Sequence, residues 1–179
     1  MTVVRVPEPS LVVLIGAAGA GKSTLAARAF APDEVLSSDA FRGVVSGDEG
    51  NQAATRPAYA FLHRALDRRL ALGRTTVIDA TNVERHARRA LLRRAERHRV
   101  PTIAIVLDLP PDLVRRRNLA RARVVDPDVV ERHLAQVRLL VDHWRLADEG
   151  FTTVVLLPDP DDLDRLVIER GSAPTPSSA

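Results

Sequence analysis

Near the amino end, Gly16-Ala17-Ala18-Gly19-Ala20-Gly21-Lys22-Ser23-Thr24 follows the pattern Gly-x-x-x-x-Gly-Lys-Ser/Thr, the Walker A spacing. Glycines let successive backbone N–H groups turn inward around phosphate oxygens. A helix starting at Lys22 adds the positive end of its dipole to the same point. Gly16, Gly19, Ala20, Gly21, Lys22, Ser23 and Thr24 are therefore candidate nucleotide contacts. Lys22 is placed to reach β- and γ-phosphates and the Ser23 hydroxyl to ligate Mg²⁺, so ATP and Mg²⁺ are the expected cofactors. Of 26 lysines and arginines, Lys22 is the only lysine. It stands where a compact ammonium serves better than a planar guanidinium fork.

Three more groups carry chemistry. Ser37-Ser38-Asp39-Ala40-Phe41-Arg42 offers Asp39 as a general base for an acceptor hydroxyl. Arg42, one helical turn on, is a candidate clamp on a substrate phosphate. The competing role for Asp39 is a helix N-cap. Val77-Ile78-Asp79-Ala80-Thr81-Asn82 is an apolar strand ending in a carboxylate, so Asp79 is a candidate ligand to a Mg²⁺-bound water. Thr81 and Asn82 could line the site or serve only in a turn and cap. Last come Arg115, Arg116, Arg117, Arg121 and Arg123. Arg117 and Arg121 are four apart and would share a helix face. They are read as lid arginines that contact the ATP phosphates, where Arg117 would stabilise the charge of the transferring group. Arg115 and Arg116 are read as solvated, and Arg123 is left open between the two roles.

The elements that must position these residues alternate. Leu11–Ile15, Val35–Ser38, Thr75–Asp79, Thr102–Leu107 and Thr152–Leu157 are expected strands, short apolar runs of the buried parallel kind. Helices are expected over Lys22–Phe30, Ala53–Leu72 with Gly73 after its end, Glu84–Arg99, onward from Pro110-Pro111, from Asp126-Pro127 to about Asp148, and over Asp161–Arg170. Gly43 to Gly50 is expected to be a loop, and Gly171–Ala179 a disordered tail or linker stub. Strand–helix alternation predicts an α/β fold of three layers, here a five-stranded parallel sheet with helices on both faces and a helical lid at about 111–140. Right-handed crossovers then place the glycine-rich turn at the carboxyl ends of the strands.

Bulk properties narrow the class. A chain of 179 residues, 45% hydrophobic and 27% charged, suits one globular domain. Cysteine is absent, which excludes disulfides and thiolate-bound metals. The five histidines lack metal-ligand spacing, and the aromatics are too scattered to make base-stacking platforms. The helix carrying Arg85, Arg88, Arg89, Arg93, Arg94 and Arg97 is read as a solvated basic face. No run approaches the roughly 18 apolar residues of a membrane span, and Met1–Ser10 lacks the character of a signal peptide. A cytoplasmic location, no membrane partner and an unspecified oligomeric state follow as expectations.

In order and spacing, GAAGAGKST, SSDAFRG, VIDATN and RRNLARAR leading into DPDVVERH resemble the kinase domain of the bacterial polynucleotide kinase-phosphatase of RNA repair, from about Leu11 to Arg170. The Walker A segment is widely shared, whereas S-S-D-x-x-R with D-A-T-N is more specific. The resemblance implies a P-loop phosphotransferase acting on 5′-OH ends of RNA or DNA. Asp39 would be its base, Arg42 its clamp on the neighbouring substrate phosphate, and Arg117 with Arg121 its lid contacts. The chain departs from the longer proteins of that group: it has no metallophosphatase signature and no K-x-D-G nucleophile. It is expected to phosphorylate ends without healing or sealing them. A kinase for a small alcohol, or a slow ATPase switch, would need the same Walker A segment.

Overall fold

The computed structural model describes residues 2–142 and 145–172. In chain order the elements are β1 (Val3–Glu8), β2 (Leu11–Gly16), α1 (Lys22–Ala29), β3 (Val35–Ser37), α2 (Ser38–Ser46), α3 (Thr55–Ala71), β4 (Thr76–Asp79), α4 (Arg85–His98), β5 (Thr102–Leu107), α5 (Pro111–Leu119), α6 (Pro127–Asp142), α7 (Arg145–Asp148), β6 (Thr153–Leu157), α8 (Pro160–Asp164) and β7 (Val167–Ser172). Five of the strands form a parallel sheet in the order β3-β4-β2-β5-β6. The α/β three-layer fold read from the sequence is thus the fold of the molecule.

All six residues of β2 are buried, because helices cover both faces of the sheet; this is why the strand reads as one apolar run. Side chains alternate between the faces. Val12, Leu14, Val77, Ile103 and Ile105 point to one core with Leu25 and Phe30 of the α1 segment. Leu11, Val13, Ile15, Ile78 and Ala104 point to the other, with Leu62, Leu66 and Leu70 of α3 and Leu91 of α4. The α3 stripe falls every four residues, as its spacing requires. Gly73 follows α3 at φ +63°, where its N–H donates to the Leu70 carbonyl at 3.0 Å.

The structure corrects several expectations. Gly43 to Ser46 is helical, the last turn of α2, and the turn begins at Gly47, φ +74°. Gly43 is there for space: a Cβ at 43 would stand 2.9 Å from Glu49 Cγ. The expected helix over Asp161–Arg170 is one short turn, α8, followed by β7. β7 pairs in parallel with the unforeseen β1, Val3 against Val167 through Glu8 against Ser172. Gly171 and Ser172 therefore belong to a strand, and the rest of the expected tail lies outside the described residues. The long helix expected from Asp126 is α6 to Asp142, with α7 after it; Trp144 lies outside the described residues. Among those described, no helix is long and apolar enough to cross a membrane.

Candidate active site

Register brings the chemistry to one sheet edge. Asp79, the last residue of β4, pairs with Leu14 of β2 on one side and Ser37 of β3 on the other. β2 then runs into the glycine turn on its way to α1, at the point where strand order reverses. Gly19 and Gly21 have φ of +87° and +97°, conformations an L side chain resists. At Gly19 space forbids one as well, since a Cβ would lie 2.8 Å from the Val114 carbonyl of α5. The Gly16 N–H donates to the Thr81 carbonyl at 3.1 Å, which ties the turn to the end of β4.

Lys22 is only 8% exposed. Its Nζ donates to the Gly16 and Ala17 carbonyls at 2.9 and 2.8 Å. Burial pushes its ammonium down to about 8; Asp79 opposes that, Arg121 adds to it, and Asp39 opposes it weakly. Asp79 moves the other way. Burial pushes its carboxyl up, against a hydrogen bond from Ser23 and the charges of Lys22 and Arg121, while Asp39 reinforces the rise. A hydroxyl beside a carboxylate at a phosphate turn is the hard oxygen donor set that Mg²⁺ takes, together with substrate phosphates. The residues present therefore fit that ion, with Ser23 and Asp79 as its holders. Thr24 is exposed on the first turn of α1.

Asp39 lies in the first turn of α2, but the cap is Ser37, whose hydroxyl accepts from Ala40 N–H at 3.4 Å. The Asp39 carboxylate is thereby released from the capping role. It meets two guanidiniums, Arg42 on Oδ1 and Arg123 on Oδ2 at 3.1 Å. Arg42 is buried, and its Nε donates to the Glu49 carbonyl at 2.8 Å. The tip of Arg117 comes within 3.4 Å of where a Gly21 side chain would begin. Arg121 does not share a helix face with it, because α5 ends at Leu119. Arg121 sits in the following turn, yet its charge acts on both Lys22 and Asp79. Arg115 and Arg116 are exposed, and Arg115 grips Glu131 of α6 through Nε and Nη2 at 2.7 and 2.8 Å.

Asn82 is a structural residue. It is 2% exposed, holds φ +49°, and donates from Nδ2 to the Leu14 carbonyl at 2.7 Å. Neither it nor Thr81 caps α4, whose N-cap is Glu84 without a side-chain cap bond. Arg88 leaves the solvated face expected of its helix: it is buried and bidentate to Glu149 at 2.7 and 2.8 Å. Two residues near the site escaped the sequence reading. Tyr59 of α3 hydrogen-bonds Ser38, and burial pushes its hydroxyl up. His133 is pushed down by burial and then by the charge of Lys22, and its Nδ1 is buried without a partner among the described residues. Its one sequence signal is position, three after Val130 and four before Val137 on the inward face of α6.

The family described as AAA domain matches residues 11–142. No curated protein matches the chain. Among solved structures, one of the Pnkp1/Rnl/Hen1 RNA repair complex aligns at TM-score 0.65 and 20% identity, covering 77% of this chain and 47% of that one. Kti12 of Chaetomium thermophilum in complex with ADP-AlF3 aligns at 0.61 and 19%, covering 87% and 94%. A sugar kinase from Janibacter sp. HTCC2649 aligns at 0.57 and 21%, covering 87% and 90%. At these identities the likeness is one of fold.

Proposed function

The chain belongs to the AAA-domain family, and from that premise we propose that it transfers the γ-phosphate of ATP to an alcohol, the acceptor being the 5′-hydroxyl end of RNA or DNA. One observation carries the reading: Lys22, the Ser23–Asp79 pair and the uncapped carboxylate of Asp39 stand at the same edge of the sheet. A kinase needs these three functions side by side.

Lys22 exchanges its two loop carbonyls for β- and γ-phosphate oxygens. The acceptor hydroxyl oxygen bonds to the γ-phosphorus as the bond from that phosphorus to the β–γ bridging oxygen breaks. ADP leaves, and the hydroxyl proton passes to an oxygen of Asp39. Mg²⁺, when held by Ser23 and Asp79, supplies charge neutralisation on the phosphates. Arg117 and Arg121 bring guanidiniums to the charge of the transferring group. The functional unit is residues 1–170, with α5 and α6, about 111–140, as its lid. The S-S-D-x-x-R and D-A-T-N segments support the nucleic-acid acceptor. So does the fold likeness to the RNA repair structure, of whose chain this one spans about half, at 47%. A kinase for a small alcohol is favoured by the burial of Arg42, which narrows the acceptor side.

The test offers γ-labelled ATP and Mg²⁺ with short 5′-OH oligonucleotides of RNA and DNA, and a 5′-phosphorylated control. Label on the hydroxyl ends and none on the control is expected. ATP consumption without label on any strand would overturn the acceptor assignment.

A further inference from the structure

Arg123 lies in the loop between α5 and α6, yet its guanidinium crosses to α2 and meets Asp39 Oδ2 at 3.1 Å. The other oxygen of that carboxylate is held by Arg42. A single negative charge therefore sits between two positive ones, and Asp39 is the only carboxylate in ion-pair contact with either arginine among the described residues. The turn after α2 is shaped for both. The Glu49 carbonyl anchors Arg42 Nε at 2.8 Å. Gly50 leaves room for the stem of Arg123: a Cβ there would stand 3.1 Å from Arg123 Cδ. The two arginines differ in freedom. The side chain of Arg42 is 10% exposed and fixed at two points, whereas those of Arg123 and Asp39 are 39% and 35% exposed.

We infer that Arg123 is a specificity-determining residue: with Arg42 it makes a two-guanidinium seat for a phosphate that the acceptor carries beside its hydroxyl, so the site selects phosphate-bearing alcohols over neutral ones. This rests on the kinase reading above. Guanidinium forks suit phosphate oxygens, and a neutral acceptor has no use for the excess positive charge. The seat is also coupled to the base. A phosphate arriving beside Arg42 draws Arg123 off Oδ2, and that oxygen becomes free to take the hydroxyl proton. The acceptor itself thus unmasks Asp39.

The experiment compares a nucleoside 3′-monophosphate with the unphosphorylated nucleoside and a 5′-OH oligonucleotide as acceptors, in wild type, Arg123→Ala and Arg123→Lys. Wild type is expected to favour the monophosphate over the nucleoside. In Arg123→Ala the ratio of the two kcat/KM values falls about tenfold to a hundredfold, as for a charge-assisted contact, with the loss in KM of the monophosphate. Arg123→Lys retains part of the ratio. Binding of the monophosphate without ATP, followed by calorimetry, weakens by the same factor in Arg123→Ala. A ratio unchanged by Arg123→Ala, with wild type active, overturns this role alone and leaves Arg123 a strut between α2 and the α5–α6 loop. Wild type inactive on every acceptor overturns the kinase reading with it.

Discussion

Lys22 carries the chain's one ammonium into a place where burial already depresses it to about 8, and what holds it there is two loop carbonyls and the nearby carboxylates. A guanidinium at the same point is wider and would not fit between Gly16 and Ala17. Lys22→Ala and Lys22→Arg should therefore both abolish transfer, as measured with labelled ATP, since each removes the phosphate contact. Asp39→Asn is expected to keep ATP binding and lose about 10²-fold or more in kcat; turnover equal to wild type would return Asp39 to a structural role. Lys22, Ser23, Asp39 and Asp79 were legible in the sequence because each follows directly on an apolar strand that fixes its place. Arg123 and His133 were not. One reaches the site from a loop whose path only the folded chain defines, and the other differs from a core position on α6 only by its imidazole.

The α5–α6 hairpin is held as a unit by Asn118. Its side chain is 2% exposed, donating from Nδ2 to the Val125 carbonyl at 2.7 Å and accepting the Val125 N–H at 3.1 Å. The same helix packs on Gly19, so the hairpin and the glycine turn share one wall. Asn118→Ala leaves a backbone donor and acceptor unpaired and should cost about 1–3 kcal/mol in urea unfolding. It should also raise KM for ATP, because Arg117 and Arg121 hang from this wall; an unchanged KM would separate hairpin from nucleotide. Elements were legible where one physical term dominated: β2, β4 and β5 as buried apolar runs, α3 by its stripe of leucines. β1 and β7 were not. Val3–Glu8 alternates exposed and buried residues over a run broken by Pro7, and Val167–Ser172 is half polar. Each gains strand character from pairing with the other, far away in the chain.

Across the whole molecule, two features join distant segments. Arg88 and Glu149, with side chains 1% and 3% exposed, tie α4 to the turn before β6, and Arg88 Nη1 donates to the Asn82 and Val83 carbonyls at 2.9 and 2.6 Å. Glu149→Ala strands a buried guanidinium and should cost about 3–5 kcal/mol, seen as a lower urea midpoint with kinetics at saturating substrates preserved. The second feature makes stability depend on pH. His63 of α3 packs edge-on against Tyr59 at 5.9 Å. Burial pushes it down from 6.5 to about 4; Arg94 adds to the fall and Asp67 opposes it. The folded protein thus keeps the ring neutral where the unfolded chain, near 6.5, takes up a proton. Below the unfolded value the unfolded state binds more protons, so stability drops as pH falls from about 6.5 to about 4 and levels off below, where both states are charged. His63→Leu removes the titrating group, and the slope of unfolding free energy against pH over that window should flatten relative to wild type. An identical slope in the two proteins would mean that the ring is protonated in the fold, with Asp67 as its partner.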